Sequence, residues 1–140
     1  MTEFRYRFCV AFSLCTDMTM SGGSFRTRAK VDPYPPKGMN ETFLGYYVGE
    51  GDPRYLYVSP LFGDLSGLPP LMVQVGDNEM LRDDSMMFAE KAKSAGVPVQ
   101  MKVWQGMFHC FPLPAPLFAE ATEAMNEVAA FIHQQIQWNN

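Results

Sequence analysis

The sequence carries its most reactive residue types in two short segments. The first, GMFHCFPLPAP at 106–116, contains His109, one of two histidines in the chain. The apolar residues nearest to it are Met107, Phe108 and Phe111. An imidazole among apolar neighbours, on a loop at the carboxyl edge of a sheet, suits a general base. A histidine packed into the core is the alternative that this pattern leaves open, whereas His133 is predicted to lie on a helix surface.

The second segment, GDNEMLRDD at 76–84, is rich in acidic residues. Asp83 and Asp84 are typical of a solvated turn and a helix N-cap, where carboxylates complement the helix dipole. Glu79 differs because it lies between a strand end and the helix and is followed by two apolar residues. A carboxylate there can point across the top of a sheet. The two segments together predict a pair formed by a histidine and a carboxylate.

The elements that would position this pair follow from the apolar pattern. Strands are predicted at residues 4–14, 71–76 and 97–104. One helix is predicted at residues 37–48. A second is predicted to begin at Asp83 or Asp84 and to end near Ser94, before Gly96, and a third to begin after Pro116. The face of the last helix is predicted to comprise Leu117, Ala121, Ala124, Met125, Val128, Ile132 and Ile136. This order predicts an α/β fold with a parallel sheet, so Glu79 and His109 are expected to approach at one sheet edge.

Composition limits the classes of protein to consider. The chain has 140 residues, of which 47% are apolar and 19% charged, enough apolar material for a packed core. Its 11 basic and 15 acidic side chains give a net charge of −4, which disfavours a nucleic-acid partner. No apolar run is long enough to span a membrane, and no signal peptide is recognised. The three cysteines lack disulfide or zinc-site spacing, so a soluble, cytoplasmic domain is expected.

Two stretches of the sequence resemble a known family. SPLFGDLSGLPPLMVQVGDNEMLRDD at 59–84 and KAKSAGVPVQMKVWQGMFHCF at 91–111 are similar to the C-terminal half of the hormone-sensitive-lipase-like α/β-hydrolases, the bacterial esterase/lipase family. The resemblance begins near Val10 and extends to the last helix. It implies a single partial α/β-hydrolase domain over residues 1–140, in which three mainly parallel strands are flanked by helices. Residues 33–58 resemble part of the substrate-covering region of the family.

The resemblance also implies an activity and the residues that perform it. The family's catalytic histidine lies in a G-M-x-H-x-F segment, which matches His109, and its catalytic acid lies in a D/E-x-L-x-D segment, which matches Glu79. Asp77 and Asp84 are weaker candidates for the acid. The implied activity is that of a carboxylesterase/lipase-type serine hydrolase on short-chain esters, with no metal or organic cofactor. The expected substrate-binding residues are Met107, Phe108, Phe111 and Phe43.

The nucleophile is the point at which the sequence departs from the family. The G-x-S-x-G elbow and the HGGG-type oxyanion loop lie upstream of the matching part in the family, and neither motif occurs in this chain. Ser24 and Ser66 lack the flanking glycines, and the serines as a group are expected to serve in caps and turns. Cys110 follows His109 directly, but neighbouring side chains in a loop usually point apart, so Cys110 is not expected to be the nucleophile.

Two interpretations of function therefore remain. The first is a weak esterase in which His109 acts on water or directly on an activated ester. The alternative is a catalytically inactive, truncated hydrolase fragment that self-associates or completes a partner chain. In either case the predicted first strand presents a bare apolar edge, and such an edge pairs readily with another strand. A homo-oligomer formed through this strand is expected.

Overall fold

Three strands form one sheet in the part of the chain that the structure, a computed structural model, describes: residues 7–33, 42 and 44–137. The strands are β1 (Cys9–Phe12), β2 (Leu71–Gly76) and β3 (Val99–Trp104). All pairings are parallel, and the sheet order is β1–β2–β3. The predicted α/β fold with parallel strands is confirmed.

Strand β1 is shorter than the strand predicted at residues 4–14. Residues 4–6 lie outside the described part of the chain, and Arg7 and Phe8 are not paired in the sheet. The strand ends at Phe12 because Ser13 adopts a φ of +52°, in the left-handed region that ends an extended conformation. The Ser13 N–H still donates to the Gln74 carbonyl (3.0 Å), so the chain turns away directly at the sheet edge.

Strand β2 lies at the centre of the sheet, and all six of its residues are buried. It is uncharged and mostly apolar, which is typical of a strand covered on both faces. In the described part of the chain three α-helices accompany the sheet: α1 (Ser24–Thr27), α2 (Arg82–Ser94) and α3 (Ala119–Gln137). A short 3-10 helix spans Pro60–Phe62. Val73 packs with Phe88 of α2 on one face, and Met72 packs with Phe131 of α3 on the other. The core therefore consists of two apolar layers that β2 separates.

Helix α2 does not begin as predicted. Its N-cap is Leu81, and Asp83 and Asp84 lie within the first turn without capping it by a side-chain hydrogen bond. Asp84 is fully buried, so the prediction of a solvated capping carboxylate is wrong for this residue. The C-terminal end agrees with the prediction: the helix ends at Ser94, and Gly96 has a φ of +84°.

Helix α3 contacts the sheet through a narrower strip than predicted. Its buried residues are Ala121, Ala124, Val128 and Phe131, which recur at three- and four-residue spacing. Met125 and Ile136 are exposed, and Leu117, which is 82% exposed, precedes the helix. The prediction is wrong for these three residues because only the strip that includes Phe131 meets the sheet.

The segment predicted as an amphipathic helix at 37–48 is described only in part. Leu44–Val48 forms a π-helical turn with no buried residue, and Tyr46 and Tyr47 are exposed instead of packed. Residues 37–41 and 43 lie outside the described part. Among the described helices none is long and apolar enough to cross a membrane.

Candidate functional site

Polar side chains from the carboxyl ends of all three strands converge at one edge of the sheet. Ser13 follows β1 directly, Glu79 lies in the loop after β2, and His109 lies in the loop after β3. We call residues 76–84 the acid loop and residues 106–116 the base loop. The structure brings Glu79 and His109 together, with 3.3 Å between Oε2 and Nδ1.

The Glu79 carboxylate is fully buried and is anchored on the side opposite the histidine. Oε1 accepts hydrogen bonds from the Gly76 N–H (2.6 Å) and from the Ser13 hydroxyl (2.8 Å). Oε2 remains directed at the imidazole of His109. A buried carboxylate requires such partners because removing its charge from water is costly. The two donors fix the carboxylate in the orientation that an imidazole-orienting acid requires.

The His109 ring lies between this carboxylate and the surface, and its side chain is 19% exposed. An ionised carboxylate only accepts hydrogen bonds, so the ring proton on this side is assigned to Nδ1. The 3.3 Å separation is at the long end for a hydrogen bond. With Nδ1 protonated, Nε2 carries the lone pair. The ring is thus oriented to receive a proton on its far nitrogen.

Cys110 lies at that far nitrogen. Its Sγ is 3.3 Å from Nε2 of His109, so the expectation that these neighbouring side chains point apart is wrong. The reason is the backbone: Cys110 has a φ of +53°, and its N–H donates to Oγ of Ser13 (3.0 Å). Burial has the largest influence on the thiol and raises its pKa. A side-chain interaction between the thiol and the Ser13 hydroxyl lowers it, and the charge of Glu79 raises it further.

The acid loop and the base loop are joined by backbone hydrogen bonds. The Asp77 N–H donates to the Trp104 carbonyl (2.9 Å), and the Asn78 N–H donates to the Met107 carbonyl (3.2 Å). Oδ1 of Asp77 accepts from the Gly106 N–H (2.6 Å). Asp77, a weaker candidate for the acid, therefore holds the start of the base loop in place.

A glycine at the end of β2 allows the two loops to approach. A β-carbon on Gly76 would lie 2.2 Å from the carbonyl oxygen of Met107, a distance at which one of the two backbones must move. The absence of a side chain at this position is thus a geometric condition for the contact between Glu79 and His109.

Residues 16–32, which follow β1, form hydrogen bonds with the acid loop and with the first turn of helix α2. The buried carboxylate of Asp84 accepts hydrogen bonds from the Thr16 N–H (2.8 Å), the Asp17 N–H (3.1 Å) and the Thr16 hydroxyl. Burial raises the pKa of Asp84, and these hydrogen bonds oppose that effect. Oδ2 of Asp32 accepts from the Met80 N–H (2.8 Å). Asp84, the other weaker candidate for the acid, therefore joins helix α2 to this segment.

The residues expected to bind substrate lie in different environments. Met107 and Phe108 are half-buried and pack against the core cluster that contains Trp104. Phe111 has no exposed surface, and its ring centroid lies 5.5 Å from that of Trp104. Phe111 packs beneath the base loop, so we do not propose that it contacts the substrate. Phe43 lies outside the described residues.

A groove lies between the segment after β1 and residues 44–53. It has a volume of about 410 Å³ and is lined by Met18, Thr19, Leu44, Gly45, Val48, Gly49, Gly51 and Pro53. None of these described lining residues belongs to the acid loop or the base loop, so the groove is not assigned to the reaction. Within residues 7–33, 42 and 44–137, no three or more His, Cys, Asp or Glu side chains are grouped to hold a metal ion.

Ser13 is the site residue that sequence analysis missed, since it was grouped with serines in caps and turns. Its hydroxyl donates to Glu79 and accepts from the Cys110 N–H, so one side chain joins the acid to the base loop. One signal could have identified it. Ser13 directly follows a strand of a parallel sheet, at the edge where the loops after the strands meet.

Comparison with known proteins identifies the family of this chain. A family model described as the alpha/beta hydrolase fold matches residues 3–113. An esterase of Acinetobacter venetianus is 40% identical over 119 residues, which are 82% of this chain and 38% of the esterase. An acetyl-hydrolase of Streptomyces hygroscopicus is 34% identical over 123 residues, which are 88% of this chain and 41% of that protein.

A solved structure provides a third comparison. An esterase from the bacterial hormone-sensitive lipase family aligns with a TM-score of 0.87 and 38% identity, over 93% of this chain and 44% of that chain. The chain thus spans less than half the length of the relatives that it matches. It belongs to the alpha/beta hydrolase fold family, and its resemblance to the hormone-sensitive-lipase-like esterases is confirmed.

Proposed function

We propose that this chain hydrolyses short-chain carboxylic esters, with His109 as the general base and Glu79 as the acid that orients it. One observation carries the proposal. The buried Glu79 carboxylate is anchored through Oε1 and faces Nδ1 of His109 through Oε2 at 3.3 Å. Relatives that are named esterase and acetyl-hydrolase support the reaction, and the second name supports a short acyl group.

The proposed roles follow from the ring orientation. Nε2 of His109 takes the proton of the group that attacks the ester carbonyl carbon, which is water or a nucleophilic side chain. It later donates this proton to the leaving alcohol. Glu79 keeps the proton on Nδ1 and stabilises the imidazolium that forms in between. Met107 and Phe108, half-buried on the base loop, are proposed to contact the substrate. A substrate-covering role for residues 33–58 and a cytoplasmic location stay predictions from the sequence.

The direct test is hydrolysis of p-nitrophenyl acetate and butyrate by the purified chain. We expect saturable turnover that exceeds the rate of free imidazole at equal concentration, with lower activity on a long-chain ester such as the decanoate. Rates equal to those of free imidazole, without saturation, would contradict the proposal. That result would support the alternative of an inactive chain that self-associates or completes a partner.

We also propose that β1 pairs with a second copy of this chain through its outer edge. The N–H groups of Cys9 and Ser13 point to β2, so by alternation those of Val10 and Phe12 point to the opposite edge. No other described strand covers that edge. Cys9–Phe12 contains no charged residue, whereas the other edge strand contains Lys102, and lysine is a residue that protects sheet edges.

The test of this pairing is the molar mass from light scattering over a concentration series. We expect a dimer that dissociates in Val10→Pro, because proline removes an outward N–H and edge strands tolerate it. Val10→Ala is the matched control, since it removes apolar contacts but keeps the N–H, and it is expected to remain dimeric. A monomeric wild-type chain at the highest concentration would overturn the proposal.

A further inference from the structure

The thiol of Cys110 is a nucleophilic group in contact with the candidate base. Sγ lies 3.3 Å from Nε2 of His109, and Nδ1 of the same ring lies 3.3 Å from Oε2 of Glu79. A nucleophile, a base and an orienting acid in this sequence of contacts form the arrangement used in covalent catalysis. When the Nδ1–H of His109 donates a hydrogen bond to Glu79, the lone pair of the ring is on Nε2. Nε2 is the nitrogen that contacts the Cys110 thiol.

The backbone holds the thiol in this position. Cys110 has a φ of +53°, a conformation that non-glycine residues rarely adopt and that persists only where surrounding contacts impose it. In this conformation the Cys110 N–H donates a hydrogen bond to Oγ of Ser13 (3.0 Å). Because the Ser13 hydroxyl also donates to Glu79, the same residue positions the acid and the thiol.

We propose that Cys110 is the acyl acceptor of this chain, with carboxylic esters as the donors. The inference rests on the proposed function, because it uses the same base and the same class of substrate. His109 removes the thiol proton as Sγ bonds to the ester carbonyl carbon. The tetrahedral intermediate then expels the alcohol, which takes the proton from His109, and a thioester remains on Cys110. Water, deprotonated by His109, attacks the thioester and releases the carboxylic acid and the thiol.

The protonation state of the thiol agrees with a base-assisted attack. Burial raises the pKa of Cys110, so near neutral pH the resting group is a thiol that hydrogen-bonds to the imidazole and not a preformed thiolate. Removal of its proton must therefore accompany attack. The rate of acylation is accordingly expected to increase with pH.

The chain contains its own control cysteines. Cys9 is exposed and Cys110 is half-buried, so accessibility alone favours labelling of Cys9. Cys15 is exposed as well, but burial of its thiol raises the pKa to about 11, so Cys9 is the sharper control. Trypsin separates the groups, since Cys9 and Cys15 fall in the peptide of residues 8–26 and Cys110 falls in that of residues 103–140. Preferential acylation of the second peptide would thus report activation by His109 and not exposure.

The experiment treats the full chain with p-nitrophenyl acetate, stops the reaction with acid and measures acetylation of both peptides by mass spectrometry. We expect the acetyl group on Cys110 first, labile to neutral hydroxylamine as a thioester is. In His109→Gln its formation should be about 100-fold slower, the lower end of the effect of a general base. Circular dichroism verifies that this variant is folded. Equal labelling of the two peptides, or labelling of Cys110 that is unchanged in His109→Gln, would overturn the proposal.

Hydrolysis by Cys110→Ala separates this inference from the proposed function. If Cys110→Ala hydrolyses the ester at the wild-type rate and His109 is still required, the thiol proposal fails and the esterase proposal stands. If Cys110 is acetylated in a His109-dependent manner but turnover stays at the level of free imidazole, the thiol proposal stands and the hydrolase proposal fails. Cys110→Ser gives a further readout, since a hydroxyl at the same position yields an acetyl ester that resists neutral hydroxylamine.

Discussion

Replacing His109 with alanine is expected to lower kcat for p-nitrophenyl acetate by about 10²–10⁴-fold, the usual contribution of a positioned general base. The expectation rests on the orientation of the ring, whose Nδ1 faces the buried carboxylate of Glu79 at 3.3 Å. KM is expected to change little, because the base acts on the proton of the attacking group. Initial rates over a range of ester concentrations measure the two constants separately. His133→Ala is the matched control, since His133 is exposed on helix α3.

Free imidazole distinguishes a chemical role of His109 from a structural one. The ring is partly exposed at the edge of the sheet, so its removal leaves a space that solvent can reach. Imidazole added to His109→Ala should therefore restore part of the activity above the rate of imidazole alone. Equal losses in His109→Ala and His133→Ala, or a loss in His109→Ala that imidazole does not restore while the fold is intact, would contradict the role of His109 as base.

The elements with a strong local pattern were predictable from the sequence. LMVQVG is uncharged and ends in glycine, and its predicted bounds, residues 71–76, are those of strand β2. Because consecutive strands separated by helices form parallel sheets, the loops after β2 and β3 had to meet at one edge. The approach of the acid loop to the base loop follows from that topology alone.

Side-chain directions in the loops were not predictable in this way. Ser13 and Cys110 both have positive φ values, +52° and +53°, which no periodic pattern of residue types encodes. These two conformations direct the Ser13 hydroxyl at Glu79 and the Cys110 thiol at His109. The burial of Asp84 escaped prediction for a related reason. Its partners, Thr16 and Asp17, lie far away in the sequence, whereas capping preferences concern neighbouring residues.

The site is a closed ring of contacts and not a simple pair. The Cys110 N–H donates to Ser13, the Ser13 hydroxyl donates to Glu79, Glu79 faces His109, and the His109 ring contacts the Cys110 thiol. The segments after β1 and β2 contribute one member each, the loop after β3 contributes two, and Gly76 permits the approach of the loops. Because a buried network is stable only when every polar group is satisfied, the members of this ring depend on one another.

Replacing Glu79 with glutamine is expected to lower kcat by about 10³–10⁴-fold, because the orienting acid sets the tautomer of the base. The amide keeps the size of the side chain, and its oxygen can still accept from Gly76 and Ser13. Its NH₂ group would then face Nδ1 of His109 and donate to it. The ring proton of His109 is thereby moved to Nε2. Nε2 then has no lone pair with which to accept a proton from the group that attacks the ester. Glutamine is preferred to alanine, which would leave two donors unpaired at about 1–3 kcal/mol each.

The pattern of kcat among three variants identifies this role of Glu79. Glu79→Asp keeps the charge but is one methylene shorter, so it should recover part of the activity that Glu79→Gln loses. Asp64→Asn is the matched control, because the Asp64 carboxylate is bonded within its own turn to Ser66. A wild-type kcat in Glu79→Gln, together with a loss in His109→Ala, would mean that another group orients the imidazole. A loss in Glu79→Gln with partial recovery in Glu79→Asp requires a charge at this position, because packing alone would favour the amide over the shorter acid.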